Sequence, residues 1–310
     1  MKTSVIIPTY NRPRDLKNCL ESIVEQFRLP DEVIVIDDGD LDDMPCRKEL
    51  EEKGIQCVFR KKTQKGLTRS RNLGVKIARG DIIIFFDDDV VLMLDYIQEI
   101  VKTYENGFDK DLGGIGGVEI NFKRPNFLNY IEFLYNILFL ISPLQPGRIT
   151  ASGFSEQGLT EKVNPLKKIG KADTLSGAVF SFHKKVFKQF SFSEDYAHNY
   201  CQGEDKDFSI RVSRNLNLYI QPAAQLYHYH SPIERVSKYR RGRDIILSAY
   251  RLFSRYVRRN KHEMMLFYYS FFGVFFKFTM RFLLTGKKDE LERLRGIINA
   301  FHVIRQNEFI

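Results

Sequence analysis

Apolar and polar positions along the first ~120 residues alternate between the two spacings that predict strands and helices. The stretch TSVIIPTY is a short apolar run stopped by Pro8, and DEVIVIDDG has the continuous apolar character of a strand buried on both faces. QCVFRKK and DIIIFFDDD predict a third and a fourth strand. Between them, RDLKNCLESIVEQF places Leu16, Cys19, Leu20, Ile23, Val24 and Phe27 at helical spacing. CRKELEEKG predicts a short helix stopped by Gly54, and GLTRSRNLGVKIARG a helix ending at Gly80. Strand, helix and strand at this spacing imply parallel pairing with right-handed crossovers. The expected class is α/β, a doubly wound, mostly parallel central sheet flanked by helices.

The middle of the chain is less regular. FLNYIEFLYNILFLI predicts an aromatic-rich helix, SPLQPGRITASGFSEQG a loop, and ADTLSGAVFSFHKKVF strand-like structure. A helix is expected to begin near Asp205, and LYIQPAAQLYHYHS to form a last strand before a helical tail. The expected organisation is an α/β half over residues 1–120, a second half of the same domain over 121–230, and a helical extension over 231–310.

Ligands of such sheets bind at the carboxyl ends of the strands. Pro8, Thr9, Tyr10 and Asn11, then Asp37 and Asp38, then Asp87, Asp88 and Asp89 all fall just past predicted strand ends. Three adjacent carboxylates repel one another and need a positive partner that the neighbouring sequence lacks. A hard dication, Mg²⁺ or Mn²⁺, bridging Asp87 and Asp89 to a diphosphate would supply it. Asp88 alternates to the other side of the strand end. In GEDKDFSIRV, Glu204 and Asp205 open a predicted helix, where its positive end stabilises carboxylates and where a general base can be held. His228 and His230 share one face of the last strand and are candidate metal ligands.

Charge and composition change the picture mainly at the tail. The 310 residues carry a net charge of +9, and from Ser231 onward 17 lysines and arginines face 7 acidic residues. A basic tail on a near-neutral body points to a polyanionic partner. With no nucleic-acid-binding module accompanying it, an anionic membrane surface contacted through 235–285 is the preferred partner over nucleic acid. The segment 264–284 holds two charges, Lys277 and Arg281, in 21 residues rich in phenylalanine. It fits first a helix in the membrane plane, then a homo-oligomer contact, then a span. Cys19, Cys46, Cys57 and Cys201 are scattered without metal-type spacing, and the amino terminus shows an apolar run of only three residues. Both favour a reduced cytoplasmic setting, peripheral at the inner face of the cell membrane.

Taken together and in this order, VIIPTYNR, VIVIDDG, GLTRSRNLGV, IIIFFDDDV and GEDKDFSIR resemble the inverting nucleotide-sugar transferases of glycosyltransferase family 2. The resemblance spans roughly residues 3–230 and implies the GT-A fold, with 1–120 binding nucleotide sugar and 121–230 binding acceptor. It also implies that Pro8, Thr9, Tyr10, Asn11 and Arg12 line the nucleotide pocket and that Asp38 hydrogen-bonds the base. Arg71 would approach the nucleotide or its phosphates. Asp87, Asp88 and Asp89 would form the family's metal motif, with Asp89 foremost as direct ligand and His228, or else His230, completing it. Asp205 would be the catalytic base and Glu204 would orient the acceptor, while the aromatic residue usual before this pair is Gly203 here. The implied reaction is metal-dependent, inverting transfer of a sugar from a nucleoside diphosphate donor, UDP by default, to a hydroxyl of a glycan or lipid-linked acceptor. A polyprenyl-phosphate sugar synthase is the alternative, whose anionic acceptor needs no base. A sugar-phosphate nucleotidyltransferase and a non-catalytic membrane scaffold are further alternatives.

Overall fold

A computed structural model describes residues 1–120, 124–196, 203–231, 237–260 and 262–306. Four strands, β1 (Thr3–Thr9), β2 (Glu32–Asp37), β3 (Gln56–Lys61) and β4 (Ile82–Phe85), alternate with α1 (Pro13–Val24), α2 (Arg47–Glu52) and α3 (Leu67–Ile77). The order β3-β2-β1-β4 is parallel throughout, with Thr9 opposite Asp37 and Ile6 opposite Phe85. Side chains of these strands alternate between two cores, as the two-residue period of a strand requires. Val5, Val33 and Ile84 pack with Leu16, Leu20 and Ile23 of α1 on one face. Ile6, Ile34, Ile83 and Phe85 join a phenylalanine cluster on the other. Fully burying each such side chain contributes about 1.5–3 kcal/mol.

The sheet continues with β5 (Val90–Leu92), β6 (Leu112–Glu119), β7 (Gly170–Ala172), β8 (Phe180–His183) and β9 (Asn217–His228), in the order β4-β8-β6-β9-β5 with β7 also on β9. The α/β class with helices flanking the sheet is as expected, and the second half of the sheet adds antiparallel strands to the parallel ones. Among the described residues β8 runs antiparallel to β4 and β6, and β5 and β7 antiparallel to β9, while β6 and β9 are parallel. The reversal arises because the chain enters β8 from the carboxyl edge of β4, with Ser181 opposite Ile84. The preceding loop is thereby left on the edge where the aspartates lie. The helix α4 (Tyr96–Glu105) covers the first core, and α7 (Glu204–Ser213) contributes Phe208 to the second.

The described residues divide into two units. The first is drawn from Met1–Phe122, Leu166–Tyr200 and Glu204–Ile233, the second from Lys123–Pro165, Cys201–Gly203 and Glu234–Ile310. Residues 124–165, grouped by sequence with the middle of the chain, therefore belong with the C-terminal helices. The second unit comprises α5 (Phe127–Leu138), α6 (Gly158–Val163), α8 (Lys238–Leu252), α9 (Met264–Thr285) and α10 (Lys288–Arg305). Its core joins Phe154, Ile246, Phe253, Phe267, Phe278, Ile297 and Ala300. Helices α8 and α10 cross where Gly242 faces the Arg293 carbonyl and Gly296 faces the Tyr239 carbonyl, positions where a Cβ would collide with backbone. No helix among the described residues is long and apolar enough to cross a membrane, which removes the spanning alternative for 264–284. Cys201 and positions 235, 236 and 261 of the basic segment lie outside the described residues.

Candidate active site

The strand ends bring the aspartate triplet to cationic partners distant in sequence. Just past β1, Thr9 Oγ1 donates to Asp88 Oδ2 at 2.7 Å and Arg12 Nη1 donates to Asp88 Oδ1 at 3.1 Å. The same Arg12 nitrogen lies 3.6 Å from Asp89. Pro8 is tolerated inside β1 because β4 stops at Phe85, opposite Ile6, and asks for no N–H beyond it. Asp88, buried beside two further aspartates, is pushed up to about pKa 7 by enclosure, against the pull of Arg12 and Thr9.

Asp89 is set by the pairing of β5 with β9. Val90 lies opposite His228, so the imidazole arrives beside the preceding residue. His228 Nε2 stands 3.0 Å from Asp89 Oδ1, an ion-pair distance. A carboxylate oxygen and an imidazole nitrogen this close can pair directly or serve together as two ligands of one ion. The ligand atoms of Asp87, Asp89 and His228 lie within 4.8 Å of one another, a set that fits Mn²⁺ or Mg²⁺. Although burial raises the Asp89 carboxyl, His228, the Ser231 N–H and Arg12 outweigh it and hold the group down at about 2. Burial opposes charge on His228, but Asp89, Glu119 and Asp87 push its pKa up to about 10.

Glu119, at the carboxyl end of β6, has its Oε2 3.4 Å from His228 Nδ1. Sequence reasoning did not single it out. The available signal was one acid closing the run LGGIGGVE at a strand end. Glu119, His228 and His230 form a second trio within the same 4.8 Å limit, and the two imidazole rings are 4.0 Å apart. His230 is exposed and takes a left-handed backbone with φ 53°.

Arg71 on α3, expected at the nucleotide, is enclosed, with only 1% of its side chain exposed. Its Nη1 is 2.9 Å from Glu204 Oε1, and its Nη2 is 3.4 Å from Asp87 Oδ1 and 3.3 Å from the Gly177 carbonyl. The guanidinium lies over the rings of Phe180 and Phe192. Asp87 keeps 31% of its side chain open to solvent, so water damps the upward push that the surrounding walls give its carboxyl. Glu204 is raised to about 7 by burial and by Asp205, with Arg71 opposing.

Asp205 Oδ2 accepts the Gly177 N–H at 3.0 Å, and Oδ1 accepts the Lys206 N–H at 2.8 Å. Gly177 thus ties base candidate and arginine through its own backbone. A Cβ there would stand 2.8 Å from Arg71 Nη2 and 3.2 Å from the Asp205 Cβ. Gly203 has φ +106°, and a Cβ on it would meet the Ser248 hydroxyl, so this position has no room for an aromatic side chain.

The remaining expected residues sit along the same edge. Tyr10 Oη accepts from Lys65 Nζ at 2.9 Å, and Asn11 is exposed with φ 55°. The Asp38 carboxylate accepts from Ser70 Oγ, the Gly66 N–H and Lys62 Nζ, the last at 2.7 Å. Asp37 accepts from the Gly39 and Leu41 N–H groups, holding the turn after β2.

An α/β sheet with aspartates at a parallel strand end, a histidine closing their cluster and a carboxylate pair on a facing helix defines the class of nucleotide-sugar transferases with the GT-A fold. The family model for glycosyl transferase family 2 matches residues 4–188. The chain belongs to glycosyltransferase family 2. A Bacillus subtilis relative named an uncharacterized glycosyltransferase, YfnE, is 38% identical over 108 residues, covering 34% of this chain and 28% of that protein. A Haloferax volcanii glucosyl-dolichyl phosphate glucuronosyltransferase is 27% identical over 136 residues, covering 41% and 42%. The matches thus span less than half of either relative's length. In fold, the chain is similar to a mannosyltransferase of Pyrobaculum calidifontis solved with GDP-Man and Mn²⁺, with TM-score 0.61, 15% identity and 99% of this chain and 88% of that one covered. It is also similar to S. aureus TarS solved with UDP-GlcNAc, with TM-score 0.52, 17% identity and coverage of 97% and 79%.

Proposed function

We propose that this protein is a metal-dependent, inverting glycosyltransferase that moves a sugar from a nucleoside diphosphate donor, UDP foremost, to a hydroxyl of a glycan or lipid-linked acceptor. The observation that carries the reading is the junction of two sites. Asp87, Asp89 and His228 form one ion-sized donor set, and Arg71 with Gly177 links Asp87 directly to Glu204 and Asp205. A lipid-linked acceptor draws support from the relative named for a dolichyl phosphate substrate. This reading has the protein working peripherally at the inner face of the cell membrane, in keeping with free thiols at Cys19, Cys46 and Cys57.

Asp87, Asp89 and His228 would hold the cation, which when bound neutralises charge gathering on a diphosphate. Thr9 and Arg12 keep Asp88 and Asp89 in place from the β1 side. Asp205, its two oxygens fixed by backbone N–H groups, takes the proton from the acceptor hydroxyl. The freed oxygen bonds to the anomeric carbon as that carbon's bond to the diphosphate breaks on the opposite face, which inverts configuration. Glu204, held by Arg71, orients the acceptor.

Titration calorimetry of UDP, GDP and dTDP with Mn²⁺ or with chelator, on wild type and Asp89→Asn, tests the donor half. Metal-dependent binding of one nucleotide that the variant loses is expected. No binding of any nucleotide would overturn the transferase reading. Full turnover by Asp205→Asn would instead favour the polyprenyl-phosphate sugar synthase, whose acceptor is already an anion.

A further inference from the structure

In the second unit, α5 and α9 run antiparallel. Tyr269 Oη donates to the Leu138 carbonyl, Tyr135 Oη to the Gly273 carbonyl, and Lys277 Nζ reaches Glu132. Their polarity is inverted relative to helices that face water. The charged residues of the pair, Glu132, Lys277 and Arg281, turn toward one another, at 3.1 Å for Lys277 and 2.8 Å for Arg281. The outward positions are apolar instead. Every exposed residue of α5, and every exposed residue of α9 except the terminal Thr285, is aliphatic, aromatic or methionine. Leu134 is 65% exposed, Leu138 64%, Phe272 56% and Leu283 67%. The 22 residues of α9 make this face about 33 Å long.

A face of this size and composition is held out of water in the working protein. Its flanks indicate by what. Arg124 before α5 and Lys287 and Lys288 after α9 outnumber the one exposed acid beside them, Asp289, at one end, and Arg258 and Arg259 are exposed at the other. Cations at both ends of an apolar stripe match an anionic lipid surface, whose headgroups meet the charges while the stripe enters the acyl boundary. A second copy laid on the same face would set cations against cations in either direction along the helices. Neither helix is built to span, and the inner face of the pair is packed in its own core, so only one side can enter lipid.

We infer that the paired outer faces of α5 and α9 form an in-plane docking surface for an anionic phospholipid bilayer. This differs from a basic segment at 235–285 acting alone, because α8 is part-buried and α5 supplies six of the fifteen exposed apolar positions. The inference deepens the lipid-linked acceptor reading but rests on none of the active-site residues.

Co-sedimentation with phosphatidylcholine–phosphatidylglycerol vesicles, without nucleotide or acceptor, tests it. Wild type is expected to pellet with these vesicles and about tenfold less with phosphatidylcholine alone. The pair Leu134→Asp and Phe272→Asp should lose about a hundredfold in partitioning while keeping its melting temperature and nucleotide binding. Should that variant misfold, Lys287→Glu with Lys288→Glu leaves the helices intact and should still weaken binding to the charged vesicles. Wild type remaining in the supernatant overturns the inference, as do variants that pellet undiminished. A stable dimer that ignores vesicles and becomes monomeric in the Leu134 and Phe272 variant assigns the face to a second copy instead. Because no substrate is present, failure here leaves the transferase reading standing, and failure of nucleotide binding leaves this one standing.

Discussion

Arg71 Nη1 lies 2.9 Å from Glu204 Oε1, while its other terminal nitrogen reaches Asp87, so one enclosed guanidinium spans the cation-binding and acceptor-orienting carboxylates. The arginine is on α3, Asp87 follows β4 and Glu204 opens α7. Charge neutralisation under the site therefore holds three elements in register. Arg71→Ala should cost about 3 kcal/mol in denaturant unfolding, because it leaves Glu204 unpaired in a poorly solvated setting. Arg71→Lys keeps the charge but cannot serve both carboxylates with a planar fork. It should fold and still lose turnover, as steady-state kinetics would show.

The raised pKa of Glu204 gives a stability signature. A carboxyl moved from 4.5 to about 7 on folding contributes stability below pH 4.5, and that contribution is lost as pH rises through about 7. Wild type should therefore lose on the order of 1–3 kcal/mol relative to Glu204→Gln across that window, read by urea unfolding at several pH values. Parallel curves for the two proteins would show that Glu204 is not held in this state.

His228 holds a proton up to about pH 10, and a cation must displace it. Apparent Mn²⁺ affinity should tighten toward about tenfold per pH unit while one proton is released, and His228→Ala should flatten that slope. Calorimetry in buffers of different ionisation enthalpy counts the proton directly.

Glu119 faces the far nitrogen of His228 and should fix the ring so that Nε2 points to Asp89. Glu119→Gln is expected to weaken Mn²⁺ binding by about 10–100-fold with little change in melting temperature. Unchanged affinity would reduce Glu119 to a neighbour of the site.

Gly177 passes between Arg71 and Asp205 with no room for a methyl group. Gly177→Ala should lower kcat by about a hundredfold through displacement of the base, while nucleotide affinity changes much less. Equal losses in both would mean that the loop had moved as a whole.

The local rules of the chain were enough for the first half of the fold. Strands β1 to β4, their helices and the three polar clusters at the strand ends follow from period and punctuation, because adjacent parallel strands must end on the same edge. The pair Glu204 and Asp205 at the start of α7 was equally legible, since a helix amino terminus is written in a few consecutive residues. Pairings between distant segments were not. The β5–β9 ladder that sets His228 beside Asp89, the Glu119 contact and the loop at Gly177 join residues more than a hundred positions apart, apart from the 28 between Gly177 and Asp205. Periodicity carries no information about such partners.

The basic, aromatic tail shows the division most clearly. Composition determined that residues 264–284 are apolar with two cations and that the tail is basic. Only tertiary structure decided that Lys277 and Arg281 turn inward to Glu132 on α5, leaving phenylalanine, leucine and tyrosine outside. A charge on a helix specifies the need for a partner, but which side of the helix becomes interior depends on where that partner lies. Here it lies some 150 residues earlier in the chain.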